Sequence, residues 1–367
     1  MVYHHLKRQE GIMNTLALTF VVFLVFSFFA MYLIQTKAAK KYVRTQKINV
    51  WELPIVYIGL FYVLGSIVSL CLFENADFVE PLTLARVIVP IIMAVFLYGL
   101  AVWRDDWVLV VALMACLTVN TLMQPQSMGA WLPKLPFGVV IIMVVALGTL
   151  YCHFYRIMNK SLSAVAVSQM ITIGGLCFLS YFGALPVYTA LVSAMMLGAI
   201  AAYLSVNYND EKLPLDNASC LVLAYLVWNL LLLQLGEFCF SSCLILTAIF
   251  WAELVMAVWG KFINPGVGTL RENTAYYQME QNYSTKAMVL NMLRTGVVVY
   301  FIAWFQLHSA NQYSLFVLTF LIVMWLNYTA LHPERKAKKL KEVNREFVAG
   351  IKDNIQEAKD VWKKSSE

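Results

Sequence analysis

Residues 207–226 read NYNDEKLPLDNASCLVLAYL. A short polar turn, 207–217, separates an apolar run over about 185–205 from another over about 218–235. Asp216 and Asn217 stand immediately before the second run, followed by the small residues Ala218 and Ser219. A side-chain oxygen at that place accepts a hydrogen bond from a first-turn N–H, so the pattern predicts an N-cap and a helix from about residue 218. The motif of apolar run, polar turn and apolar run repeats along the whole chain. Runs of about 18 or more apolar residues are long enough to cross a bilayer as helices.

Working outward gives eleven expected spans: about 13–35, 53–73, 83–103, 107–123, 136–154, 163–182, 185–205, 218–235, 239–259, 288–307 and 313–331. The expected class is an all-α polytopic membrane protein. Residues 1–331 form the transmembrane domain, and 332–367 form a basic appendage. Composition agrees: 61% of the 367 residues are apolar and 13% are charged, against about a quarter charged in a soluble domain. This excludes a soluble enzyme with a single anchor, and nothing points to a nucleic-acid partner. The run beginning near Met13 has no small-residue cleavage site after it and reads as a helix, not a removed signal.

Charge sorts the connections. QTKAAKKYVRTQKINVWE (35–52) carries five Lys/Arg and one Glu, whereas ENADFVEP (74–81) has three acids and no base. Basic residues gather in every second connection. The positive-inside rule then places those connections and the C-terminus in the cytoplasm and the N-terminus outside. The sizeable polar segments, 36–52, 206–217, 260–287 and the tail from His332, all fall on that inner side. In the tail, Leu340, Val343, Phe347, Ile351, Ile355, Ala358 and Trp362 recur at steps of three and four, a single stripe on a Lys-rich helix. Such a helix lies on an anionic leaflet or docks on a protein partner, including a second copy.

The seven cysteines lie mostly inside apolar runs with no CxxC spacing, and the five histidines form no HxxxH or HxH pair. Buried thiols and no metal site are expected. Two charges fall inside spans: Glu253 in FWAELVMAVWG and Arg294 near the inner face, a plausible partner for it. An intramembrane acid is a functional suspect. No Gly/Pro-broken helix pair or inverted repeat marks a carrier.

Four inner connections, in order, resemble those of the polyprenyl-phosphate sugar-1-phosphate transferases, membrane enzymes that move a phosphosugar from a UDP-sugar to a polyprenyl phosphate with Mg²⁺. The likeness covers about residues 15–310. The family's N-F-x-P-A-K-I-F-x-G-D-S-G-S-L-x-L-G-Y aligns without a gap on Asn207 to Tyr225. Asn207, Lys212, Leu215, Leu221, Leu223 and Tyr225 fit it, and the metal-binding Asp falls on Asn217. The family's N-A-x-N-x-x-D-G-x-D-G-L-A aligns on residues 153–165, its aspartates falling on Asn159 and Leu162. D-R-E-H-L-H-H-R-L aligns from Leu270, keeping Arg271 and Glu272 and losing every histidine. An acidic pair survives as Asp105-Asp106.

The resemblance implies that Asp105 and Asp106 are the remaining catalytic candidates. It also implies that Arg156, Asn159, Lys160, Asn207, Lys212, Asn217 and Arg271 are remnants of a phosphate-binding groove. Mg²⁺ needs hard anionic oxygens, and groups lost together remove activity as a unit. The expectation is a degenerate, cofactor-free transferase relative in the inner membrane of a bacterium, binding polyprenyl phosphate or another anionic lipid or acting as a scaffold in envelope glycan assembly. The alternatives are an active, rearranged, Mg²⁺-dependent transferase and an unrelated transporter or membrane-complex subunit. Read without the family, Asp216 and Asn217 are N-cap residues, Asp105-Asp106 a solvated turn, and the basic residues inner-face anchors.

Overall fold

The computed structural model describes residues 2–45, 53–73, 81–123, 136–158, 162–182, 187–207, 213, 215–234, 240–263, 269–308 and 314–332. The stripe at 340–362 and the candidates Asn159, Lys160 and Lys212 lie outside the described residues, as does the side chain of Arg271. Within them the chain is helical, without a strand. The helices are α1 (Val2–Thr45), α2 (Pro54–Phe73), α3 (Pro81–Trp103), α4 (Trp107–Leu122), α5 (Phe137–Ile157), α6 (Leu162–Tyr181), α7 (Val187–Asn207), α8 (Asn217–Leu232), α9 (Phe240–Ile245), α10 (Ala248–Ile263), α11 (Ala275–Asn282), α12 (Thr285–Leu307) and α13 (Ser314–Leu331).

Helix α8 sits at the centre. Every residue from Ala218 to Leu232 is buried, as expected of a helix that is apolar on all sides. Helices α2, α3, α4, α5, α6 and α9 pack around it. Two of its polar side chains meet earlier helices: Asn229 Nδ2 donates to Tyr62 Oη at 2.9 Å, and Asn120 Nδ2 to Tyr225 Oη at 2.5 Å. Such pairs hold helices together where the surroundings are as apolar as the side chains. The peripheral helices do the reverse. α12 turns Leu290, Leu293, Val297, Phe301 and Phe305 outward, and α13 turns out Val317, Leu318, Leu321, Trp325 and Tyr328. A surface of this kind is matched to hydrocarbon, not to water.

Five helical stretches are long and apolar enough to cross a membrane: Leu18–Thr45, Phe137–Ile157, Ala164–Tyr181, Tyr188–Asn207 and Thr285–Leu307. Five more are apolar over shorter lengths, among them Asn217–Leu232. The molecule is an α-helical membrane protein. Exposed Trp103 and Trp107 flank the turn from α3 to α4, and exposed Trp259 and Phe262 stack in the last turns of α10; large aromatics of this sort settle at a membrane–water boundary. The exposed bases Lys37, Lys40, Lys41 and Arg44 close α1 at the same end of the bundle, termed the basic face below.

Three segments depart from the sequence reading. First, α1 continues through the basic connector as far as Thr45. Ala38 and Ala39 are buried there against Leu213, with Tyr42 and Val206 beside them, so packing extends a sequence that already favours helix. Second, the apolar run at 239–259 is not one helix. It breaks at Leu246–Thr247, where the Leu246 and Thr247 N–H groups reach back only three residues, to Cys243 and Leu244. Thr247 Oγ1 also donates to the Leu244 carbonyl at 2.7 Å. A threonine hydroxyl competing for a backbone carbonyl loosens a helix without glycine or proline. Third, the polar segment 260–287 contains α11 and a 3-10 turn at Arg271–Asn273.

Candidate functional site

The turn from α3 to α4 brings Arg104, Asp105 and Asp106 to the basic face. Asp106 is the N-cap of α4: its Oδ1 accepts from the Val108 N–H at 3.1 Å, and its Oδ2 lies 3.4 Å from Arg104 Nη1. Asp105 points elsewhere. It forms an ion pair with Nη2 of Arg156, at the last turn of α5. The two ends of that pair differ sharply. The Asp105 side chain is 77% exposed and that of Arg156 only 6%. The buried Nε of Arg156 has no hydrogen-bond partner, so the guanidinium keeps one donor unspent.

Side chains tie together the described residues on either side of 208–212. Asn207 uses both ends of its amide: Nδ2 donates to the Tyr203 carbonyl at 2.8 Å, and Oδ1 accepts from the Leu213 N–H at 2.8 Å. Tyr203 Oη donates to the Leu213 carbonyl at 3.1 Å, closing the same turn. Asp216 caps α8, its Oδ1 accepting from the Ser219 N–H at 2.7 Å, and it also hydrogen-bonds the Tyr98 side chain on α3. Asn217 is the first helical residue, with its side chain exposed.

Asp105 and Arg156 meet. Asn207 and Asn217 flank one turn, but no hydrogen bond or ion pair among the described residues links them to Asp105 or Arg156. Asn207 is committed to fold-building, not free to face a groove. Arg271 opens the 3-10 turn, beside Glu272, whose Oε2 accepts from the Thr269 N–H at 2.7 Å.

The second polar centre is Glu253, 1% exposed on α10. One of its oxygens accepts from the Tyr276 N–H at 3.4 Å, and the Ala275 N–H is also bonded to the carboxylate. Its other oxygen accepts from Asn327 Nδ2 at 2.9 Å. Asn327 Oδ1 in turn accepts from Asn291 Nδ2 at 3.1 Å, and Asn291 Oδ1 accepts from Arg294 Nη2 at 2.8 Å. The pairing expected between Glu253 and Arg294 is thus corrected: the two are joined through two asparagines. A carboxylate set against the first N–H groups of α11 satisfies donors that a helix start leaves open, and the helix dipole favours it. Thr274 caps the same helix through Oγ1, and Ala275, Tyr276 and Met279 are buried. Glu253 thereby pins α11 into the end of the bundle.

Asn291, Asn327 and Tyr98 were missed by a reading that singled out formal charges. An amide inside an apolar run was the available signal. Among the described residues no group of three or more His, Cys, Asp or Glu side chains gathers. The thiols of Cys116, Cys152, Cys177, Cys220 and Cys243 are free and buried, as the sequence implied. No protein-family model matches this chain, and no curated protein matches it.

Proposed function

We propose that the chain is a degenerate relative of the polyprenyl-phosphate sugar-1-phosphate transferases that binds an anionic lipid phosphate at its basic face and serves as a scaffold for envelope glycan assembly. In this reading it crosses the inner membrane of a bacterium eleven times, with the N-terminus outside and the C-terminus cytoplasmic. Helices α2–α8, α12 and α13 would supply nine crossings, α1 a tenth, and the broken pair α9–α10 the eleventh.

The ion pair of Asp105 with Arg156 carries the reading. Phosphoryl transfer between two anionic groups needs carboxylates free to hold a bridging cation. Here one surviving acid is held by a guanidinium and the other by a helix start. The position aligned with the family's metal-binding Asp holds the neutral Asn217. What remains is a buried guanidinium covered by Asp105 and, at the same face, the exposed bases Lys37, Lys40, Lys41 and Arg44, groups suited to a phosphate oxygen.

The test is purified protein with a UDP-sugar, polyprenyl phosphate and Mg²⁺, read as UMP release, beside binding of polyprenyl phosphate alone. The expected result is binding that weakens in Arg156→Met, without UMP. Release of UMP that disappears in Asp105→Asn would establish the rearranged, active transferase instead, a reading favoured by the exposure of the Asp105 carboxylate. Neither binding nor release would leave the transporter or complex-subunit reading.

A further inference from the structure

A groove of about 600 Å³ opens on the side of the bundle between α2, α3 and α8. Tyr62, Ala94, Val222 and Leu226 make its buried floor, and Leu60 and Val95, 48% and 69% exposed, stand at its rim. At Gly59 the wall is missing: a Cβ added there would meet nothing within 4 Å.

Position and length narrow the occupant. The lining on α2 runs from Ile55 to Val63, about 12 Å along the helix at 1.5 Å per residue. The half-thickness of a bilayer's hydrocarbon is about 15 Å. Most of the lining lies in the half of the bundle nearest the basic face, on the first half of α2 and the last half of α3, with Ile91 and Leu226 just across the midpoints of α3 and α8. The groove therefore spans one leaflet and faces hydrocarbon sideways. Its walls are almost wholly apolar, and the phenol of Tyr98 at its upper end is already engaged by Asp216. Above that end runs the turn from Leu213 to Asp216, onto which α1 packs through Ala38 and Ala39. The same stretch of α1 presents Lys37, Lys40, Lys41 and Arg44 to solvent, a positive field at headgroup depth.

We propose that this groove holds one acyl chain of an anionic phospholipid from the leaflet on the basic side, standing parallel to α2 with its headgroup beneath the basic end of α1. The inference needs only the membrane embedding. It stands or falls apart from the transferase reading.

The full-length protein, reconstituted in nanodiscs of phosphatidylethanolamine and phosphatidylglycerol, tests it. A diazirine is placed mid-chain in one lipid or the other, and photolabelled peptides are quantified by mass spectrometry. The α12 peptide around the outward Phe301 reports ordinary boundary lipid. The expected result is labelling of the groove peptides several-fold above that of α12, stronger from the anionic probe. That excess is lost in Gly59→Trp and in Val95→Trp while α12 labelling stays constant. The second variant adds bulk at a side chain already exposed, so a folding defect in the first does not decide the matter. Groove labelling no higher than at α12, indifference to both tryptophans, or equal labelling by the two headgroups overturns the proposal. Protection of the groove by stoichiometric polyprenyl phosphate also overturns it, in favour of an isoprenoid occupant.

Discussion

Two carboxylates near the basic face, Asp105 and Glu253, solve opposite problems. Asp105 is itself exposed and neutralises a buried cation; Glu253 is itself buried and, among the described residues, touches no cation directly. In the first pair the guanidinium is the group at risk, and the acid is its solvent-facing cover. In the second the acid satisfies backbone donors of α11 and an amide, and its link to Arg294 passes through Asn327 and Asn291. An acid in a membrane bundle can thus be local architecture, whereas a plain surface turn can hold the acid that covers a buried cation.

Breaking the Glu253 side gives the largest expected effect. Glu253→Ala removes the acceptor of two N–H groups at the start of α11 and leaves Asn327 Nδ2 only the long bond to Tyr276 Oη, at about 1–3 kcal/mol for each donor left without a partner. A clear fall in the thermal midpoint in detergent is expected, with faster hydrogen exchange confined to 275–282. Unchanged exchange there would mean that Thr274 and packing hold α11 without the acid.

The Asp105 side gives a smaller effect because solvent reaches the acid. Asp105→Ala is expected to cost about 1–2 kcal/mol, below the 3–5 kcal/mol seen when a fully buried pair is broken. Adding Arg156→Met should restore much of the loss, since the apolar side chain removes the unpaired charge. A double-mutant cycle in thermal unfolding reads both. A strictly additive cycle would show that the pair contributes nothing as a pair.

The smallest effect sharpens the contrast. Arg104 and Asp106 also form an ion pair, but both side chains are well exposed, at 61% and 40%. Arg104→Ala should move stability by less than about 0.5 kcal/mol. A loss as large as that of Asp105→Ala would make burial of the cation irrelevant to the comparison.

Much of this molecule was legible from the pattern of apolar runs, because a membrane helix is specified by length and hydropathy alone. The turn before α8 was legible too: Asp216 caps it, as an Asp before an apolar run should. The broken ninth run was not, because Thr247 acts through a hydroxyl that no periodicity registers. Nor was α11, whose eight residues have no apolar stripe long enough to announce it and which relies on a carboxylate two elements away. At the candidate site, the charges were found and their partners were not. Asn291 and Asn327 are single amides in apolar surroundings, and only folding reveals that they face one another. Asn207 stands out for its place in an alignment, yet its amide is occupied by the Tyr203 carbonyl and the Leu213 N–H.

The envelopment of α8 bears on how the chain is made. An asparagine and a tyrosine on a newly emerged helix would face lipid with their polar groups unmet. The partners that receive them, Tyr62 and Asn120, belong to α2 and α4, synthesised before α8 leaves the ribosome. The central helix thus enters a cradle in which the partners of Asn229 Nδ2 and Tyr225 Oη are already waiting.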